Sequence, residues 1–354
     1  MVIREFGAIH FRNYSELFVT FAERINLFIG DNGQGKTNLA EAIYFLSHLT
    51  SFRSHRLEPL LSFGRAQAWL QGTVIKPDSE QKARVEVTRR GRKAWLDDAP
   101  IATLSTYAAQ FYAVLFNPDS LYSYRHYPGT RRAEFDRFLS FLDPEYLEAS
   151  RSFRTLLMQK NGLLKGGDLS SLPDWNLLFI EKASDIIQRR AELLGRLNQR
   201  LPDLFALLTG RPEALRLDYQ PSLKGDPVLD AATLERAREQ ELQVGHALYG
   251  PHRDDFQLTL EGPRKESYFS QGEYRIALLA LKLAFNALLA ERKGFHPVMI
   301  LDDLFSELDG SVQARLAAHL GEVPNQIFVT STQSPAALQS PGVHIMEIRE
   351  GRIV

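Results

Sequence analysis

The chain of 354 residues contains no cysteine. Disulfide bonds and cysteine-ligated zinc are therefore excluded, and a reducing cytoplasm is the compartment this fits. An excess of charge of one sign is also missing: 42 Lys and Arg stand against 43 Asp and Glu, a net charge of −1. A uniformly basic protein is excluded, so any contact with nucleic acid has to come from a local patch. No apolar run is long enough to cross a bilayer, and Met1-Val2-Ile3-Arg4-Glu5 lacks the pattern of a signal peptide, so no membrane partner is expected. Internal repeats and low-complexity tracts are absent. With 44% hydrophobic residues the chain can bury a full core, as one large or two ordinary domains.

Against these absences stands one dense signal. Gly30-Asp31-Asn32-Gly33-Gln34-Gly35-Lys36-Thr37 is a complete P-loop. The apolar run Ile25-Asn26-Leu27-Phe28-Ile29 before it has β-branched ends suited to a buried strand, while Leu39, Ala40, Ile43 and Leu46 after it recur at helical spacing. Strand, Gly-rich turn and helix N-terminus together aim backbone N–H groups and a helix dipole at phosphate oxygens. Gly30, Gly33 and Gly35 permit a close wrap that a Cβ would obstruct. Lys36 is the candidate for the β- and γ-phosphates of ATP, and the Thr37 hydroxyl for a Mg2+ position. Asp31, Asn32, Gln34 and Asn38 complete the candidate nucleotide-binding run. A short Gly-rich turn can match by chance; the flanking strand and helix argue against that here.

Three regions separate along the chain. Residues 1 to about 117 alternate like strands, with 68–74 and 83–87 reading as a hairpin pair and Arg89-Arg90-Gly91-Arg92-Lys93 as the turn before Ala94-Trp95-Leu96. From about 130 to 245 the composition turns helical, in stretches at 131–142, 145–165, 174–208 and 230–245. Strand character returns from about 247, followed by a strong helix over 271–292 and a βαβ-like end.

The terminal region carries the other half of the nucleotide chemistry. Val298-Met299-Ile300-Leu301 is an apolar run ending in Asp302-Asp303, the form of a Walker B strand that delivers a carboxylate to the edge where phosphates sit. Asp302 would hold Mg2+, and Asp303 would polarise the attacking water as general base. Strands reaching a solvated acidic turn are common, but here Ser306-Glu307-Leu308-Asp309 opens the next helix. Between the two motifs, Ser270-Gln271-Gly272-Glu273 starts the helix that carries Ala277, Leu278 and Leu281. Ser270 with Glu273 three residues on reads as a capping box. Gly272 permits close approach, which makes the same helix start a candidate γ-phosphate site. Both readings use the same physics. P-loop, Ser-Gln-Gly-Glu start, Asp-Asp strand end and Ser-Glu-Leu-Asp turn, in that order, make up an ABC-type ATPase with Lys36, Asp302, Asp303 and Ser270 as its catalytic set.

For DNA, the local candidates are Arg84, Arg89, Arg90, Arg92 and Lys93, with Glu86 the one nearby acid. A basic turn of this kind is equally read as a solvated surface. Arg125, His126, Arg131 and Arg132 form a second patch, of which the last two also suit a structural role. His246 and His252 read as structural, because no second ligand lies at metal-binding spacing. The aromatic residues around Tyr107 to Tyr127 read as core.

The chain resembles the RecF family of bacterial recombination-repair ATPases, related to SMC proteins. The resemblance is carried by Phe11-Arg12-Asn13-Tyr14, the P-loop running into Asn38-Leu39-Ala40-Glu41-Ala42-Ile43, Ser51-Phe52-Arg53, Arg131-Arg132, Phe135-Asp136-Arg137-Phe138-Leu139, Gly250-Pro251-His252-Arg253-Asp254-Asp255, and the segments around Ser270 and Asp302. It implies an α/β fold: an ABC-type P-loop ATPase head with a mixed sheet and antiparallel subdomain, formed by 1–120 and 246–354, around an inserted, mainly helical domain at 121–245. It further implies an ATP-dependent homodimer in which Ser270 faces the γ-phosphate held by the other subunit, and nucleotide contacts from Arg12, Asn13 and Arg53. The implied partners are double-stranded, gapped or junction DNA, and RecR, with RecO and RecA in the same pathway. Three positions depart from ABC transporters: Asp303 replaces Glu, Ser331 replaces the switch His, and Asn117 stands near the magnesium-sensing Gln. Together they suggest slow hydrolysis, a timing device more than a motor, and the resemblance implies a weak, DNA-stimulated ATPase. Two other readings remain: a nucleotide-gated DNA clamp with negligible turnover, and an SMC-like head with a structural chromosome role.

Overall fold

In the computed structural model the described residues are 1–354 without 102–106, 108–110, 167–168, 224–228, 262–268 and 340–341. Strands are numbered β1 (Val2–Phe11), β2 (Tyr14–Thr20), β3 (Ile25–Ile29), β4 (Gln67–Lys76), β5 (Ser79–Thr88), β6 (Gly91–Leu96), β7 (Ala99–Pro100), β8 (Ala113–Phe116), β9 (Ala214–Gln220), β10 (Asp255–Glu261), β11 (Val298–Asp302), β12 (Ile327–Ser331), β13 (Val343–Arg349) and β14 (Arg352–Ile353). The chain divides into two compact units, one of Met1–Tyr122, Leu207–Gly210 and Phe269–Val354, the other of Ser123–Ala206 and Arg211–Tyr268.

In the first unit the alternating N-terminal segments form an antiparallel sheet in the order β2-β1-β4-β5-β6-β7. Period-two alternation decides its faces. Ala68, Leu70, Val74, Val85, Val87 and Ala94 are buried on one side, and Trp69, Gln71, Arg84 and Trp95 share the other by register. The turn between β5 and β6 is shorter than the sequence suggests. It comprises Arg89-Arg90, and Arg92 and Lys93 already lie in β6.

The second sheet has the order β14-β13-β3-β12-β11-β8, and β13, β3, β12, β11 and β8 run parallel. Strands of a parallel sheet are covered on both faces, which is why Val298–Asp302 and Ile327–Ser331 are buried at every position. The helix Lys36–His48 packs against strands of both sheets, with Leu39, Ala40, Ala42, Ile43, Phe45 and Leu46 at zero exposure. Burying a side chain such as Phe45 contributes about 1.5–3 kcal/mol. Close packing sets Gly72 in β4: a Cβ there would lie 2.7 Å from Leu46 Cδ2. The helix Gln271–Lys293 is buried without a break from Ile276 to Asn286.

The second unit holds the helices Pro128–Leu142, Pro144–Leu164, Leu172–Asn198 and Ala231–Val244, and the antiparallel pair β9–β10. Two features differ from the sequence-based expectation. The stretch 174–208 is two helices, Leu172–Asn198 and Leu201–Thr209, because Pro202 lacks an N–H and its ring clashes with the carbonyl four residues back. Strand β9 lies between two of the expected helical stretches, in a region whose composition is helical and where no strand was expected: Leu215 and Leu217 are buried while Arg216 and Asp218 are nearly half exposed. Its pairing with β10 carries this unit on through Glu261, beyond the expected residue 245. Buried charges in the unit are paired. Arg190 donates to Asp136 Oδ1 at 2.7 Å and to Pro251 O at 2.8 Å, Arg131 bonds both oxygens of Asp255 at 2.7 Å, and Lys160 meets Glu241 at 3.0 Å. The Gly250–Asp255 segment thus serves as an internal anchor.

Candidate functional site

The carboxyl ends of adjacent parallel strands gather the first unit's polar motifs on one edge, the position where α/β sheets take ligands. β3 runs into the P-loop, β12 ends at Thr330 and Ser331, β11 ends at Asp302, and Asn117 follows β8 directly. Gly30, Gly33 and Gly35 have φ of 147°, 84° and 119°, in the region that favours glycine. Asp31, Asn32 and Gly33 are exposed at the tip of the loop. The helix Lys36–His48 has no side-chain cap, leaving its first N–H groups available to an anion.

Lys36 is buried beneath this loop and donates from Nζ to Gly30 O at 2.6 Å and to Asp31 O at 2.8 Å. Burial pulls its pKa below the ordinary lysine value, opposed by Asp303, Asp302 and Asp31. Thr37 Oγ1 donates to Asp302 Oδ1 at 2.9 Å, joining residues 265 positions apart. Thr330 Oγ1 donates to the same oxygen at 2.7 Å and accepts the Asp303 N–H at 2.9 Å. Asp302 is 4% exposed. Burial pushes its carboxyl above the usual range, the Thr330 and Thr37 hydroxyls pull it back, and Asp303 adds a smaller upward push. A buried carboxylate beside a hydroxyl is an all-oxygen donor pair suited to Mg2+, and Thr37 and Asp302 would hold that ion alongside phosphate oxygens. Asp303 has φ of 50°, an uncommon conformation for a residue other than glycine. Ser306 Oγ donates to its Oδ1 at 2.8 Å and its carbonyl at 2.9 Å, holding the carboxylate at the edge of the site.

Ser270 is exposed and forms a reciprocal capping box: its Oγ accepts from Glu273 N at 3.2 Å, and Glu273 Oε2 accepts from Ser270 N at 3.0 Å. A Cβ at Gly272 would meet nothing within 4 Å. Among the described residues the helix start is therefore open to an incoming group.

The flanking candidates fall into two groups. Asn13 Nδ2 donates to Gln34 O at 3.0 Å, Asn38 Nδ2 to Asn13 Oδ1 at 2.8 Å, and Arg53 Nη1 to Asn38 Oδ1 at 2.8 Å, forming a polar chain along the P-loop. Arg12 instead pairs with Glu41 through bonds of 2.7 and 2.8 Å and donates to Pro59 O. Glu41 has zero exposure, so Arg12 neutralises a buried charge. Sequence reasoning gave no role to Glu41 or Thr330. The available signals were an acid within an apolar helical run and a hydroxyl at the end of a buried strand.

The five candidate DNA residues do not share one face. Arg84 lies over Trp69 and Trp95, at 5.4 and 5.0 Å from the ring centroids. Lys93 lies opposite Glu86 on that side, Arg92 lies opposite the buried Val87, and Arg89 and Arg90 occupy the exposed turn. Burial lowers the pKa of Arg92. Arg89 pairs loosely with Glu58 at 3.5 Å. In the second unit, Arg131 is a buried partner of Asp255, and Arg132 donates to Asp254 O at 2.7 Å. Of the aromatic residues, Tyr107, Phe111, Phe116 and Tyr124 are core, whereas Tyr122 and Tyr127 are more than half exposed.

Residues 2–350 match the family model described as the RecF/RecN/SMC N-terminal domain. The DNA replication and repair protein RecF of Lactobacillus johnsonii is 34% identical over 349 residues, covering 94% of this chain and 92% of that protein. The protein of the same description from Agathobacter rectalis is 32% identical over 340 residues, with the same two shares. A solved structure of the recombination mediator protein RecF with ATP, from the RecFOR pathway, superposes with a TM-score of 0.88 at 27% identity, covering 99% of this chain and 98% of that one. An Smc head domain from Pyrococcus furiosus, bound to the C-terminal domain of ScpA, shares the fold at a TM-score of 0.59 and 17% identity, covering 100% of this chain and 96% of that one.

Proposed function

Since the chain belongs to the RecF family, within the wider RecF/RecN/SMC group, we propose that it is an ATP-binding DNA repair protein whose grip on DNA is gated by nucleotide. The observation that carries this reading is the Thr37–Asp302 hydrogen bond, which brings the P-loop and the Asp-Asp strand end to one sheet edge. Lys36 and the open helix N-terminus bind the triphosphate. Mg2+, when bound, neutralises charge developing on the phosphoryl oxygens. Asp303 orients and deprotonates the attacking water.

The exposed Ser270 helix start supplies the γ-phosphate contact of a second subunit, so ATP is the adhesive of a symmetric pair. Charge-assisted hydrogen bonds across that interface are lost on hydrolysis, which releases the dimer and the DNA. Duplex DNA, near gaps or junctions, is bound through phosphate contacts, and RecR, RecO and RecA act in the same sequence of events. The shorter reach of Asp303, compared with glutamate, favours slow turnover. No helix among the described residues is long and apolar enough to cross a membrane, and the working compartment in this reading is the cytoplasm.

The test is steady-state ATPase activity with and without double-stranded DNA, for the wild type and Lys36→Met. The expected result is DNA-stimulated hydrolysis well below about 10 per second, a typical enzyme turnover, and none in the variant. Hydrolysis unaffected by Lys36→Met would overturn the reading. No measurable hydrolysis by the wild type, with ATP still bound and DNA binding still dependent on it, would favour the nucleotide-gated clamp.

A further inference from the structure

The P-loop is held from outside by two turns far from it in sequence. β13 runs parallel to β3 with Glu347 opposite Ile29, so the terminal hairpin emerges beside the loop. The turn of that hairpin, Glu350-Gly351, has φ of 46° and 71°, the paired positive angles of a two-residue hairpin turn. Glu350 N–H donates to Gln34 Oε1 at 2.7 Å, and Gly351 N–H donates to Gln34 O at 2.9 Å. From the β1–β2 turn, Asn13 Nδ2 donates to the same carbonyl at 3.0 Å, and from the start of β2 the Tyr14 hydroxyl donates to Gly35 O at 3.0 Å.

We propose that the Glu350-Gly351 turn and Asn13 aim the P-loop peptides at the triphosphate, making Asn13 and Gly351 positioning residues for ATP binding. This rests on the nucleotide-site reading above. A trans peptide points its C=O and N–H in opposite directions. With the Gln34 carbonyl taken by two donors, the Gly35 N–H faces away from both turns, on the side where such a loop takes phosphate. The Tyr14 hydroxyl on Gly35 O fixes the Lys36 N–H in the same way. The packing leaves no slack. A Cβ on Gly351 would lie 2.5 Å from Asn13 O, one on Gly35 2.6 Å from Asn13 Nδ2, and one on Gly30 2.4 Å from Ile348 O. A loop so braced is organised before its ligand arrives, which lowers the ordering cost of binding.

Two variants test this. Gly351→Ala puts a methyl against Asn13 O at a left-handed position. Asn13→Asp, on an exposed residue, replaces the donor with a carboxylate facing Gln34 O while keeping the acceptor used by Asn38. Arg352→Ala, in the same hairpin, is the control. Equilibrium ATP affinity, the KM and kcat for hydrolysis, and the melting midpoint of the nucleotide-free protein are measured for each. Both variants are expected to lose at least about tenfold in ATP affinity, as for a misplaced binding group. That loss should enter KM rather than kcat, with the control unchanged. ATP affinity equal to wild type in both variants overturns the inference, whatever happens to the melting midpoint. If Gly351→Ala does not fold, Asn13→Asp decides alone. A wild type that binds no ATP defeats the parent reading, whereas a binding wild type with unaffected variants defeats only this one.

Discussion

At the scale of single residues, Asp302 is the buried acid of the site, and burial raises its carboxyl above the usual range. An acid whose folded pKa is raised binds its proton more firmly folded than unfolded. The nucleotide-free protein is therefore most stable with respect to this group below the unfolded value, near 3.9, and loses stability as pH rises through the raised folded value. At neutral pH, Asp302→Asn removes the buried charge yet keeps an acceptor for Thr37 and Thr330. The expected outcome is a higher melting midpoint without nucleotide and at least ~100-fold slower Mg-ATP hydrolysis; a lower midpoint would contradict this electrostatic account. His252 behaves in the opposite sense. Half-buried against Phe153 and Phe179, with Nε2 against Ala247 O, it is pushed down by desolvation to about 4 when folded instead of 6.5. Its stabilising contribution is complete above pH 6.5 and is lost as pH falls towards 4. Urea midpoints across that window should fall less steeply in His252→Gln than in wild type, and parallel slopes would rule out this role. Motif spacing made Lys36, Thr37 and Asp302 legible in the sequence. Thr330 was not, because a threonine's value as a carboxylate anchor depends on which strand lies beside it.

At the scale of elements, the helix start at Ser270 combines two roles that sequence alone cannot separate. The capping box holds the helix together, while the exposed hydroxyl and Gly272 leave the same N-terminus open to an anion. Ser270→Asp distinguishes them. Aspartate caps as well as serine, within a few tenths of a kcal/mol, but it sets a carboxylate against an incoming phosphate. The variant should melt with wild type, within about a degree or two, and fail to associate on ATP; ATP-driven association at wild-type strength would remove Ser270 from the interface. The strand β3, the helix after it and the strand β11 were legible because apolar runs and turn chemistry agree there. The break at Pro202 and the strand β9 were not, since Leu-Arg-Leu in a Leu- and Arg-rich stretch fits a helix as well as a strand. Alternation also limits what a run of basic residues can mean. Successive positions in β6 face opposite ways, so Arg92 and Lys93 cannot serve one surface.

At the scale of the whole molecule, the first unit is assembled from distant parts of the chain. Its P-loop lies near residue 30, its Asp-Asp strand end near residue 302, and a second compact unit is inserted between them. The order of motifs revealed this interruption, whereas the extent of the insertion depended on a strand pairing, β9 with β10, that no local pattern encodes. In the proposed function the exposed Ser270 helix start meets nucleotide held by a second copy of the chain. The direct measurement is the mass in solution by light scattering of Asp303→Asn, which should retain ATP, with saturating Mg-ATP. The account predicts a particle of twice the 40.2 kDa chain that returns to a monomer when nucleotide is removed. A particle of single-chain mass at saturating ATP would contradict it.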